Sequence, residues 1–133
     1  MDFNLEHEPK KIKMRKILSL LIIPLMLFSC GHPSEVTTDD LSLQYGVYVY
    51  NEDEKPYSGK VKKYEERDGK KELVREFTLE NGLPDGEYIS YYKGKIISKE
   101  EYSNGVLDGE CLYYGDDGKV RQTIKYKQGS KVD

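Results

Sequence analysis

The feature that most constrains this chain is a glycine pattern that recurs through its second half. Gly-Lys occurs as Gly69-Lys70, Gly94-Lys95 and Gly118-Lys119, and an aromatic stands seven residues after each Lys: Phe77, Tyr102 and Tyr126. A second glycine set, Gly59, Gly86 and Gly109, precedes Tyr64, Tyr91 and Tyr114 by five residues. Asn81-Gly82 and Asn104-Gly105 come before the near-identical Asp85-Gly86-Glu87 and Asp108-Gly109-Glu110. Gln128-Gly129 holds the matching place in a last unit that is cut short. The unit is about 23 to 27 residues long, a period typical of repeat architectures whose units bury their apolar side only against neighbours.

Each unit reads as two strands. Glu87-Tyr88-Ile89-Ser90-Tyr91-Tyr92 and Lys95-Ile96-Ile97-Ser98-Lys99-Glu100-Glu101-Tyr102 carry β-favouring residues between glycine corners. Asp68-Gly69, Asp117-Gly118 and Asn104-Gly105 are the dipeptides favoured by two-residue hairpin loops, where both positions need φ > 0. Gly59, Gly69, Gly82, Gly86, Gly94, Gly105, Gly109 and Gly118 are therefore the expected turn formers. Alternation puts Tyr91 on one face with Ile89, and Tyr114 with Leu112. Ile96 likewise shares a face with Tyr102, and Val120 with Tyr126. No segment of the body has a helical period. Tyr64, Tyr91 and Tyr114 are expected to line up as an aromatic ladder, at roughly 0.2–1 kcal/mol per cross-strand pair. Aromatics are also enriched in interfaces, so the same column is the candidate binding surface.

The string Glu80-Asn81-Gly82-Leu83-Pro84-Asp85-Gly86-Glu87-Tyr88-Ile89-Ser90-Tyr91-Tyr92, followed by Gly94-Lys95, resembles the MORN-variant repeat of bacterial proteins. Members of that group often carry the label YwqK-family antitoxin. The resemblance covers about residues 50–132, and Pro56-Tyr57-Ser58-Gly59-Lys60-Val61 is similar to the family's opening unit. It implies an all-β fold, an elongated antiparallel meander of stacked hairpins. The chain departs from the pattern at Lys93-Gly94, which lacks Asn or Asp before Gly, and in the truncated last unit.

Ahead of the repeats lies a basic segment with Lys10, Lys11, Lys13, Arg15 and Lys16, then a 12-residue apolar run from Ile17 to Phe28. The run is too short to span a bilayer comfortably and suits a helical signal peptide. It ends in Leu27-Phe28-Ser29-Cys30-Gly31, which resembles the lipobox of bacterial lipoproteins. That resemblance implies cleavage between Ser29 and Cys30, and acylation of Cys30 with palmitate-type chains. Several acyl chains hold a protein to a membrane where one does not. Residues 1–29 are thus expected to be removed. An acidic stretch before the basic one points to Met14 as the true start. Residues 30–44 are expected to be the lipidated Cys and a disordered tether, with His32 solvated, and residues 45–133 the repeat domain.

Composition narrows the chemistry. The chain has two His (His7, His32) and two Cys (Cys30, Cys111), too few for a Cys/His zinc site or a disulfide scaffold. The net charge of −3 gives no footprint for nucleic acid. The acidic clusters Glu52-Asp53-Glu54, Glu65-Glu66, Glu100-Glu101 and Asp116-Asp117 read as solvated turns and strand ends, without the ligand spacing of a calcium loop. Cys111 occupies the place of Tyr88 in the preceding unit and reads as a small, half-buried apolar residue. No catalytic residue, metal site or cofactor is expected. The expectation is a lipid-anchored protein of the bacterial cell envelope, in the outer membrane if the cell is Gram-negative. Its membrane contact is lipid on Cys30, and its repeat sheet binds a protein or glycan partner. The alternative, carried by the family label, is an antitoxin-like immunity protein that neutralises a toxin in the envelope.

Overall fold

The structure, a computed structural model, describes residues 31–132. The signal segment, its cleavage point at Ser29 and the lipid acceptor Cys30 lie outside the described residues. Among the described residues the chain forms eleven strands and no α-helix. Strand β1 (Glu35–Thr37) passes through a single 3-10 turn (Thr38–Asp40) into the hairpin β2 (Leu41–Gln44) and β3 (Val47–Tyr50). The long strands follow: β4 (Gly59–Arg67), β5 (Lys70–Glu80), β6 (Leu83–Tyr92) and β7 (Lys95–Ser103). The chain ends with β8 (Val106–Leu107), β9 (Gly109–Tyr114), β10 (Val120–Lys127) and β11 (Ser130–Val132).

Nine strands make one sheet in the order β1-β4-β5-β6-β7-β9-β10-β11, with β8 beside β7, while β2 and β3 form a separate pair. From β4 onward neighbouring strands pair antiparallel, β7 taking both β8 and β9 along its length, so the expected all-β meander of consecutive hairpins is observed. Only β1 is parallel, with Val36 opposite Val61, which makes the sheet mixed.

The turns explain the meander. Asp68-Gly69, Asn81-Gly82, Lys93-Gly94, Asn104-Gly105 and Gln128-Gly129 all have both residues at positive φ. That is the conformation whose twist matches paired strands. Lys93 adopts it at φ 48° despite the unfavourable side chain, so the lack of Asn or Asp before Gly94 leaves the turn intact. Tyr45-Gly46 (φ 51° and 83°) makes the same turn, which Tyr does not signal. The expectation for Asp117-Gly118 needs correction. Only Gly118 is left-handed there (φ 76°), and the loop is longer, closed by Gly115 N–H on the Lys119 carbonyl at 2.9 Å.

Gly59, Gly86 and Gly109 are not hairpin turns but corners in the strand path, at φ 149°, 97° and 136°. At Gly86 the register slips, so that Phe77 faces Tyr88 but Leu79 faces Pro84. At Gly109 the corresponding corner separates β8 from β9.

The register also corrects the repeat alignment. Gly59, Gly86 and Gly109 lie opposite Leu79, Tyr102 and Tyr126. Leu79, not Phe77, therefore corresponds to Tyr102 and Tyr126, because β5 carries two more residues than the later units between its Lys and the next turn.

The units interlock through one recurring contact. The N–H of Gly82, Gly105 and Gly129 donates to the carbonyl of Tyr57, Pro84 and Leu107, at 2.7 Å each time. The N–H of the residue before each glycine donates to a side chain: Asn81 to Ser58, Asn104 to Asp85, Gln128 to Asp108. An apolar residue of the preceding unit (Val47, Leu83 or Val106) closes over the glycine. These paired donors satisfy backbone groups that a turn tip otherwise leaves to water.

The core lies at the N-terminal end. Val36, Leu41, Tyr57, Val61, Phe77 and Leu79 form one buried cluster, with Tyr48, Tyr50 and Tyr88 packed against it. The expected tether over 30–44 is therefore corrected: β1, the 3-10 turn and β2 belong to the fold, and Val36 and Leu41 are buried in its core. A polar, Pro-containing segment with no period still folds here, because two apolar side chains meet a preformed sheet. The domain boundary at residue 45 falls inside a hairpin.

Candidate binding surface

Strand register divides the described side chains between two faces. Val61, Phe77 and Tyr88 are cross-strand partners and share a face; Ser98 and Tyr113 are partners on that same face. Cys111 joins them by alternation along β9. This is the face on which the core is built. Cys111 is fully buried rather than half-buried, and burial, then Glu100, pushes its thiol pKa up, away from reactivity.

Tyr64, Tyr91 and Tyr114 fall on the opposite face, each partly buried. Each is paired across its hairpin with an aliphatic residue: Tyr64 with Leu73, Tyr91 with Ile96, Tyr114 with Val120. At each pair the register slips by one residue, so Val74, Ile97 and Arg121 are extra residues on the returning strand. A bulge of this kind bends its strand and sharpens the local twist. Here it stands beside the tyrosine in every hairpin.

The expected ladder is not a ladder of touching rings. The three tyrosines sit on β4, β6 and β9, with β5 and then β7 between them. Two strand spacings amount to roughly 9–10 Å, beyond ring contact. The rings that do form a row are on the core face: Tyr48–Phe77 at 6.2 Å, Phe77–Tyr88 at 4.9 Å and stacked, and Tyr88–Tyr102 at 5.6 Å. Phe77 and Tyr88 meet because they are register partners, which residue spacing alone did not reveal.

Ion pairs surround the tyrosine column: Lys60–Glu76 at 3.3 Å, Lys62–Glu35 at 2.9 Å, Lys99–Glu87 at 3.0 Å and Lys125–Glu110 at 3.1 Å. Each is solvent-accessible and contributes little to stability. Beside the middle tyrosine, Glu72, Leu73, Tyr91, Lys93 and Gly94 line an open depression of about 420 Å³. Burial, followed by Glu76, raises the Tyr91 hydroxyl above its ordinary pKa, so it stays a neutral donor at physiological pH. The Tyr64 ring is covered by the Lys71 ammonium at 4.9 Å. The surface thus offers apolar ring area, hydroxyl donors and charges of both signs.

A second cluster was not foreseen. His32 Nε2 lies 3.0 Å from Asp53 Oδ1, and its ring packs on Tyr50 at 5.1 Å and Tyr57 at 5.8 Å. The buried Tyr57 hydroxyl donates to the Pro33 carbonyl at 2.7 Å, and Lys60 N–H donates to the Ser34 carbonyl at 2.9 Å. His32 is thus a clamp residue and not a solvated one. Among the described residues no group of three or more His, Cys, Asp or Glu is placed to hold a metal ion. Likewise, among the described residues no helix is long and apolar enough to cross a membrane.

No family model, no curated protein and no solved structure matches the chain.

Proposed function

We propose that the protein is an envelope lipoprotein, anchored by acyl chains on Cys30, whose repeat sheet is a non-catalytic binding surface for a protein or glycan partner. The observation that supports this reading most is the column of Tyr64, Tyr91 and Tyr114. Three hairpins present the same residue at the same bulge, on the face that the core does not use. A stability requirement alone would be met by any β-favouring residue there. Aromatic side chains with a polar tip suit an interface, since they bury a large area at low entropic cost.

Two experiments test the reading. Cys30→Ala should abolish incorporation of labelled palmitate and move the protein out of the detergent phase; unchanged labelling refutes the anchor. The acylated protein, isolated from membranes with its partners, should lose them in a Tyr64→Ser/Tyr91→Ser/Tyr114→Ser variant whose circular dichroism is unchanged. Retention of every partner by that variant refutes the binding face.

A further inference from the structure

Within the described residues the interlocking contact between units leaves one half unused at the first turn and one at the last strand. A seated turn donates its two N–H groups to the preceding unit, and its glycine lies under an apolar side chain. The first turn, Tyr45-Gly46, has the same φ pair as the seated ones. Yet Tyr45 is fully exposed, Leu43 beside it is exposed, and a Cβ added at Gly46 would meet nothing within 4 Å. Among the described residues neither its N–H groups nor its glycine has a docking partner. At the other end, the residues that receive a turn elsewhere are Leu83-Pro84-Asp85 and Val106-Leu107-Asp108. The same offset from the last turn gives Ser130-Lys131-Val132, and all three are exposed.

The two ends also differ in charge. Residues 32–58 hold Glu35, Asp39, Asp40, Glu52, Asp53 and Glu54 against Lys55 alone. Residues 118–132 hold Lys119, Arg121, Lys125, Lys127 and Lys131 and no acid. Lysines on an edge strand discourage pairing between identical edges. They do the opposite toward an acidic edge, where complementary charge steers association.

We propose that this surface binds a second copy of the chain, head to tail. The Tyr45-Gly46 turn of one copy seats on Ser130–Val132 of the next, continuing between molecules the contact that joins units within one. Gly46 N–H takes the Lys131 carbonyl, as Gly129 N–H takes that of Leu107. Val132 stands where Asp85 and Asp108 supply a side-chain acceptor, so one donor of the pair goes unmet and the contact is weak. Because head and tail are different surfaces, the association is heterologous and does not close into a symmetric dimer.

The test uses the full chain purified in detergent, and it is independent of partner binding at the tyrosine column. Sedimentation velocity should show reversible self-association that weakens at least tenfold when salt is raised, since exposed charges are screened. Lys127→Glu/Lys131→Glu should abolish it, as should Asp39→Lys/Glu52→Lys/Glu54→Lys. Neither set breaks a described core contact. Mixing the two variants should restore association, because only unlike ends then attract. A photo-crosslinking residue in place of Tyr45 should attach to the last strand of another copy. Four results overturn the proposal: a monomer at every concentration, association indifferent to salt, no rescue on mixing, or a Tyr45 crosslink to any other segment.

Discussion

At the scale of single residues, the glycines divide by what surrounds them. Gly82 and Gly118 have nearly the same φ, 78° and 76°. A side chain at Gly118 meets nothing within 4 Å, whereas at Gly82 it would press on Val47 and the Tyr48 carbonyl. Gly118→Ala should therefore cost only left-handed strain, about 1 kcal/mol. Gly82→Ala adds overpacking and should cost roughly 2–4 kcal/mol, read by urea denaturation. Tyr102 supplies a second residue-scale prediction. Burial, then the Glu100 carboxylate, pushes its hydroxyl up to about 12. Its folded pKa lies above the unfolded one, so its contribution to stability is complete below pH 10.0 and is lost as pH rises toward 12. Ultraviolet titration should show Tyr102 ionising among the last tyrosines, and Glu100→Gln should lower its pKa.

At the scale of elements, β1 is the strand most dependent on side chains. It has only three residues and one neighbour, β4. Tyr57→Phe removes the donor to the Pro33 carbonyl and should cost about 1–2 kcal/mol, with amides of β1 exchanging first. Acid should loosen the same strand. The hydrogen bond from His32 holds the Asp53 carboxyl below its ordinary pKa, and the Thr37 N–H does the same for Asp40. For a depressed carboxylate the stabilisation is present above the unfolded pKa and is lost as pH falls through the folded one. Protection of β1 amides should therefore fall below the ordinary aspartate value of 3.8, and Asp53→Asn should flatten that dependence. Protection that is constant down to complete unfolding would disprove the clamp.

At the scale of the whole molecule, burial falls off beyond β9, where Cys111 is the last fully buried side chain among the described residues. Tyr57, Val61 and Leu79 are fully buried at the start, whereas β11 is exposed throughout and β10 keeps only Ile124 and Tyr126 partly covered. Units that lean only on neighbours have stabilities that sum along the array. Hydrogen exchange should be slowest in β4 and β5 and fastest in β10 and β11. Val61→Ala should deprotect the whole sheet, at roughly 2 kcal/mol or more. Ile124→Ala should deprotect only the last hairpin. Equal loss of protection from β4 to β10 in both variants would mean a single cooperative unit.

Much of this architecture was legible from residue order, because its causes are local. Asn81-Gly82, Asn104-Gly105 and Asp68-Gly69 adopt the paired positive φ that their dipeptides favour, and alternation sets which residues share a face as far as the next bulge, beyond which Ile96 and Val120 stand with Tyr91 and Tyr114 rather than with Tyr102 and Tyr126. Hairpins, repeat length, all-β class and the common face of Tyr64, Tyr91 and Tyr114 followed from those two facts. What the tertiary structure decided depends on pairing across the sheet. The two extra residues in β5 moved the alignment from Phe77 to Leu79, and the three bulges set where each tyrosine stands. The order of residues 35–44 comes from burial of Val36 and Leu41 against strands distant in sequence. His32 meets Asp53, 21 residues away, only because β1 lies along β4. A polar segment carries no periodic signal of such a partner, since the free energy that orders it belongs to the surface it covers.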